Sequence, residues 1–387
     1  MSGAALAAAE ASDASGGSAT AVRRTLAASV AVYVVVRAAT LVAVVVSAQG
    51  SPVPVLDLLT KADGLRYLAI AADGYGSPPP IGPDGAYTET TNLAFFPLYP
   101  ATIRLLSWAM DPRVAAVLAA LVAGLVAAIL MTLWAVPRVG RTGAVVVVAL
   151  WSLWPSAVVY GMGYSESLFV ATVAGCLLAL QRERWTWAAV ACALAGLTRP
   201  TGAAVLAAVL VALVVHRPPV RMWLPAAAIA PVGLLVSLGH VALATGRWDG
   251  WFWIERTVWR SGFDGGRSTL ANAVGAVTGT RDQTLPPYVV AAVTCVVAVV
   301  LLVALLVERP PVDEAVYAVL ATVMALGGVG YFHCKPRFLG VVLPILVPPA
   351  RWLSRLPGWL LVALGIVALA LSVRWSAWFV VTWRFSV

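Results

Sequence analysis

Apolar runs long enough to cross hydrocarbon recur from one end of this chain to the other, and they restrict the possible folds more than any other feature. A transmembrane helix needs about 20 mostly apolar residues. TLAASVAVYVVVRAATLVAVVVSA (25–48) and YVVAAVTCVVAVVLLVALLV (288–307) are two such runs among many. Only 11% of the 387 residues are charged, against about a quarter in a soluble domain. A β-barrel would show alternating strands of about ten residues instead. The fold class is therefore all-α, a polytopic membrane helical bundle with the lipid bilayer as its surroundings. The net charge of +9 is not a nucleic-acid signal, because Lys and Arg collect in short loops as the positive-inside rule requires.

Those loops set the topology. Arg23 and Arg24 precede the first run and place the N-terminus inside. Residues 1–22, rich in Ala, Ser and Gly, read as a disordered cytoplasmic tail. The rest, 23–387, reads as one transmembrane domain with outer loops at 49–111 and 245–285. The segment 93–110 carries Pro97, Pro100 and Arg104. If it does not cross, five basic loops (137–143, 182–184, 216–221, 308–311 and 351–355) all fall inside. The spans are then about 25–48, 112–136, 143–161, 164–181, 185–199, 201–216, 221–244, 286–307, 312–332, 336–350 and 358–380, eleven in all. Within the first outer loop, LDLLTKADGLRYLAIAADGY reads as one or two interfacial amphipathic helices, ended by Pro78–Pro80.

With this topology the costly ionisable groups gather at the outer face. Asp63 lies in the first outer loop, Tyr164, Ser165 and Glu166 open a helix, Arg199 ends one, and His333, Lys335 and Arg337 cluster at another helix end. Charges near hydrocarbon usually line a bundle interior or a wet cavity. Asp63 reads as a catalytic base, a cation site or a surface anchor, with Asp73 as its rival for the first role. Arg199, Lys335 and Arg337 suit a phosphate, since Arg offers a bidentate fork and Lys a point charge. The loop WDGWFWIERTVW (248–259) offers Trp251 and Glu255 as either membrane anchors or a sugar platform. Cys176, Cys192, Cys295 and Cys334 have no metal-ligand spacing and read as small buried apolar groups.

An acid and a cationic patch in a membrane suit sugar transfer from a lipid phosphate. A carboxylate takes the acceptor's proton, and cations stabilise the departing phosphate. A secondary transporter of an anionic solute or lipid is the alternative.

Five segments carry a family resemblance: ADGLRYLAIAADGY (62–75), NLAFFPLYP (92–100), GYSESLF (163–169), LAGLTRPTG (194–202) and KPRFLGVVLP (335–344). In this order the chain resembles the GT-C glycosyltransferase superfamily. Within it, the chain resembles bacterial relatives of the PIG-V-like mannosyltransferases, which add the second mannose to GPI anchors. The resemblance implies a GT-C bundle in the bacterial plasma membrane with its active site facing outside. It also implies inverting transfer, mannose being the expected sugar, from a polyprenyl-phosphate donor to a lipid, glycan or protein acceptor. Asp63 falls at the family's general base, with Ala62 where the family commonly carries Trp. Arg199, Lys335, Arg337, Glu166, Tyr164, Tyr99, Glu255 and Trp251 are the expected substrate-binding residues. No cofactor or metal is expected, a divalent cation being left open, as is the oligomeric state.

Overall fold

A computed structural model describes residues 3–76, 82, 91–279 and 285–386, with side chains from residue 20 onward. Asp84, Glu89 and the turn at Pro78–Pro80 fall outside the described residues. Among those described there is no β-strand; one isolated bridge joins Phe263 to Gly328.

The chain is a bundle of α-helices. The first, α1 (Gly3–Ser47), begins inside the stretch read above as a tail. Two short helices follow, α2 (Val55–Leu59) and α3 (Asp63–Asp73), then α4 (Leu98–Leu106) and the long α5 (Pro112–Ser152). Next come α6 (Glu166–Gln181), α7 (Trp185–Gly196), α8 (Gly202–His216), α9 (Val220–Ile229) and α10 (Val232–Thr245). The remainder are α11 (Gly250–Thr257), α12 (Arg267–Thr278), α13 (Pro286–Val307), α14 (Val312–Gly327), α15 (Lys335–Leu339), α16 (Val347–Leu353) and α17 (Gly358–Val381).

Five stretches are long and apolar enough to cross a membrane: Thr20–Gly50, Pro112–Ser152, Val220–Thr245, Pro286–Val307 and Gly358–Val381. The expected spans at 164–181, 185–199 and 201–216 are shorter helices of 16, 12 and 15 residues. The expected span at 336–350 is not one helix. It breaks into α15, a 3-10 turn at Leu343–Leu346 and the start of α16. Pro336, Pro344, Pro348 and Pro349 explain the break, since each lacks the amide hydrogen a continuing helix needs. The 93–110 segment contributes the nine-residue α4, only about 14 Å long and too short to span.

Asp111 caps α5, accepting from the backbone N–H of Arg113 at 2.8 Å, with Pro112 next at the first helical position. Halfway along, Gly140 has φ +70 and ψ −177, which no α-helix contains. Tyr33 donates to Leu121 O at 3.0 Å and also stacks on Trp151, with ring centroids 5.8 Å apart. On a straight helix Leu121 and Trp151 would be about 45 Å apart. The helix therefore doubles back at Gly140, near the boundary expected between the 112–136 and 143–161 spans. Close helix contact recurs between α7 and α10, where Ser237 Oγ donates to Gly196 O at 3.0 Å. A Cβ on Gly233 would lie 1.7 Å from Ala193 O, so only glycine fits there.

Candidate active site

The turn before α3 is built to hold Asp63 in one place. Gly163 N–H donates to Leu59 O at 2.8 Å. A Cβ on Gly64 would come within 3.2 Å of Gly163 O, so the two segments meet backbone to backbone. Tyr164 Oη donates to Lys61 O at 3.2 Å. The Lys61 ammonium donates to Val380 O at 2.8 Å and Trp383 O at 2.6 Å, where α17 ends. Burial pushes its pKa down to about 8. Ala62, with φ +53, sits in a backbone region that strains any side chain. Asp63 follows as the first residue of α3.

Four charged side chains meet here. Arg337 Nη1 lies 2.8 Å from Asp63 Oδ2, and Arg337 Nε lies 3.2 Å from Glu166 Oε1. Arg199 Nη1 donates to the same Glu166 oxygen at 2.5 Å and to Ser165 Oγ at 3.1 Å. Glu166 is 0% exposed and Arg337 6%, whereas Asp63 keeps 24%. The Phe338 ring lies near both guanidinium groups, 5.1 Å from Arg337 and 5.9 Å from Arg199. Two acids and two bases make the quartet neutral in sum. It is nonetheless not fully satisfied. Glu166 Oε2, Arg199 Nε, Arg337 Nε and Arg337 Nη1 are buried without an aligned hydrogen bond, so Arg337 holds its acids by charge contact.

Asp63, Arg199 and Arg337 open on a cavity of about 930 Å³, with Glu255, Trp251 and Lys335 also on its wall. Glu255 stands on α11, which Ile254, 0% exposed, anchors to the body. Trp251 Nε1 donates to Ala94 O at 3.2 Å and fixes its ring. Burial pushes the Glu255 carboxyl up to about 7; Ser261 opposes the shift by hydrogen bonding, and the Asp63 charge adds to it.

Several expected site residues turn out to be structural or only indirectly placed. Tyr99 is fully buried, donates to Ala116 O at 2.8 Å and packs edge-on against Tyr67; it does not line the cavity. Tyr164 and Glu166 stand behind the wall rather than on it. The Lys335 ammonium donates to Ala325 O at 2.7 Å and Gly328 O at 2.5 Å, where it caps the C-terminus of α14. Arg199, Lys335 and Arg337 are thus not a free cationic patch: each already has acceptors. Asp73 is exposed at the far end of α3, about 15 Å along the helix from Asp63, and is not on the cavity wall. Tyr67 was missed. It lines the cavity and its hydroxyl meets Ser165 Oγ at 2.9 Å. Its spacing of four from Asp63 on one helix face was the available signal. Phe338 had none.

Among the described residues, no group of three or more His, Cys, Asp or Glu is placed to hold a metal ion. All four cysteines are buried and free. No protein-family model matches the chain, and no curated protein matches it.

Proposed function

We propose that this chain is a membrane-embedded inverting glycosyltransferase of GT-C type. In this reading it moves mannose from a polyprenyl-phosphate donor to a lipid, glycan or protein acceptor. The site would face the outside of a bacterial plasma membrane, within the eleven-span topology read from the basic loops. One observation carries the proposal: the partly exposed Asp63 carboxylate faces a cavity large enough for a sugar, beside Arg337 and Arg199.

In the single displacement, the acceptor oxygen bonds to the anomeric carbon while its proton passes to Asp63. The bond from that carbon to the phosphate oxygen breaks, and the lipid phosphate leaves with the electron pair. Arg337, Arg199 and Lys335 offset its growing charge. Because these cations already face carboxylates and carbonyls, the phosphate shares them rather than finding them unpartnered.

The test is transfer from synthetic polyprenyl-phosphate mannose to candidate acceptors by the purified, reconstituted chain. The product configuration is read by NMR. Inversion is expected. Asp63→Asn keeps the side-chain shape and should cut turnover about 10²–10⁴-fold while donor binding survives. Near-normal turnover in that variant removes Asp63 from the role, and retention of configuration rejects the single displacement. Solute uptake by vesicles with no sugar transfer would replace the enzyme by a transporter.

A further inference from the structure

The acids around the cavity are not alike. Asp63 and Glu166 are held by Arg337 and Arg199. Asp249, one helical turn before the cavity-facing part of α11, is held by Arg247 at 3.0 Å and Arg256 at 3.4 Å. Glu255 is in no ion pair among the described residues, yet its side chain is on the cavity wall. A half-enclosed carboxyl held by the Ser261 hydroxyl but by no cation among the described residues, on a firmly anchored helix, keeps hydrogen-bonding capacity for a ligand.

Its surroundings indicate what kind of ligand. Trp251, Phe252 and Trp259 line the same part of the wall, on α11 and just beyond it. Phe252, though exposed, packs edge-on against Trp251, with centroids 5.1 Å apart, and Trp251 is itself held by its hydrogen bond to Ala94 O. A carboxyl between flat aromatic faces matches a polyhydroxylated ring, whose hydroxyls bond the acid and whose C–H faces lie on the rings. It does not match a phosphate, which an ionised Glu255 repels. Arg199, Arg337 and Lys335 stand on other elements, the turn between α7 and α8 and α15. Arg256 on α11 also borders the cavity but is engaged by Asp249 at 3.4 Å, and Arg66 on α3 lies over the Trp259 ring. The wall is therefore uneven: the arginine pair Arg199 and Arg337 sits on one side with its carboxylates, and Glu255, in no ion pair among the described residues, sits among the α11 aromatics.

We infer that Glu255 is the sugar-holding residue of this cavity, so that a sugar phosphate lies with its ring on α11 and its phosphate toward Arg199, Arg337 and Lys335. The inference rests on the glycosyltransferase reading and adds an orientation and a specificity determinant to it. The carboxyl, pushed up to about 7, can both donate and accept near neutral pH, which suits a ring carrying several hydroxyls.

The experiment compares two ligands on the full chain in nanodiscs: polyprenyl-phosphate mannose and the same polyprenyl phosphate without sugar. Wild type should prefer the sugar-bearing lipid. Glu255→Ala should weaken that lipid about tenfold to a hundredfold, while the bare phosphate binds unchanged or slightly tighter. Glu255→Gln, which still donates and accepts, should recover most of the loss. Equal weakening of both lipids by Glu255→Ala would make the residue structural and overturn the inference. So would a wild type that binds both lipids equally well, although the catalytic reading would then survive. A folded wild type that binds neither lipid would sink that reading instead. The same variants with mannose 1-phosphate against inorganic phosphate would then decide the sugar site alone, and no preference for the sugar phosphate would reject it.

Discussion

Two clusters of buried arginine and glutamate sit at opposite ends of α14, and they are finished differently. At its start, Glu314 accepts from Trp134 Nε1 at 2.9 Å and Arg138 Nε at 3.1 Å, and Arg138 Nη2 also donates to it. Both carboxylate oxygens are engaged, and Arg138 lies over the Trp134 ring at 4.9 Å. Toward the other end of α14, itself about 24 Å long, where Lys335 caps it, the quartet of Asp63, Glu166, Arg199 and Arg337 leaves four buried polar atoms unsatisfied and opens on a cavity. The chemistry is the same in both. The difference shows that a buried ion pair is not by itself a functional sign. Incomplete satisfaction next to accessible space is the more telling feature.

The comparison can be broken by removing one acid at each end. Glu314→Gln leaves the Arg138 charge buried and uncompensated, which should cost about 3–5 kcal/mol of stability. Chemical unfolding in detergent measures it, and turnover per folded molecule should stay unchanged. Glu166→Gln should do the reverse, losing turnover at least about tenfold while stability falls less, because Arg337 keeps Asp63 and Arg199 borders the cavity. If the two variants behaved alike, the distinction between the clusters would collapse.

Arg337→Lys sharpens the point at the site itself. One planar guanidinium reaches both Asp63 and Glu166, and an ammonium cannot present the same fork. We expect kcat/KM to drop about tenfold to a hundredfold, with the chain still folded by circular dichroism. A Lys variant with full activity would show that charge alone matters there.

A smaller effect should come from pH. Burial pushes the Glu255 carboxyl up to about 7, with the Asp63 charge on α3 adding to the shift and Ser261 opposing it. Tyr331 interacts with it, and Arg66, Arg256, Arg199, Lys335 and Arg337 share its cavity. Below that value the carboxyl is neutral; above it, the ionised form repels an anion. A polyprenyl methyl phosphodiester, whose own charge is fixed in this range, should bind a fewfold tighter at pH 6 than at pH 8. Glu255→Gln should flatten the dependence, and an unchanged slope would remove Glu255 from it.

The smallest expected change is at Ala62. Relieving its positive φ with glycine recovers about 1–2 kcal/mol of strain and loses roughly half of that to backbone entropy. A slight rise in the unfolding midpoint of Ala62→Gly is the expected outcome; a fall would mean the methyl group is needed for packing.

Much of this was readable in the sequence because burial in a membrane leaves a long, simple record. The apolar runs mark α13 and α17 nearly residue by residue and the C-terminal end of α1, though not its start, and the basic loops bring Asp63, Glu166, Arg199 and Arg337 to one face without any structure. Elsewhere local pattern had no hold. Hydropathy does not see that four prolines dissect 336–350, nor that Lys335 turns back to cap α14. Tyr99 looked functional by its place in a motif, yet its hydroxyl is committed to a backbone carbonyl. Pairing between side chains far apart in sequence is decided by packing, which composition does not encode.

The quartet also has a consequence for how the protein is made. Its members emerge from the ribosome far apart in time, Asp63 early and Arg337 near the end. At about 5–20 residues per second the first acid waits roughly tens of seconds for its partner. Glu166 meets its partner Arg199 only 33 residues later, so it is Asp63 that goes longest without its cation. The quartet is therefore completed only once α15 has been made, because Arg337 is the one member that reaches both acids.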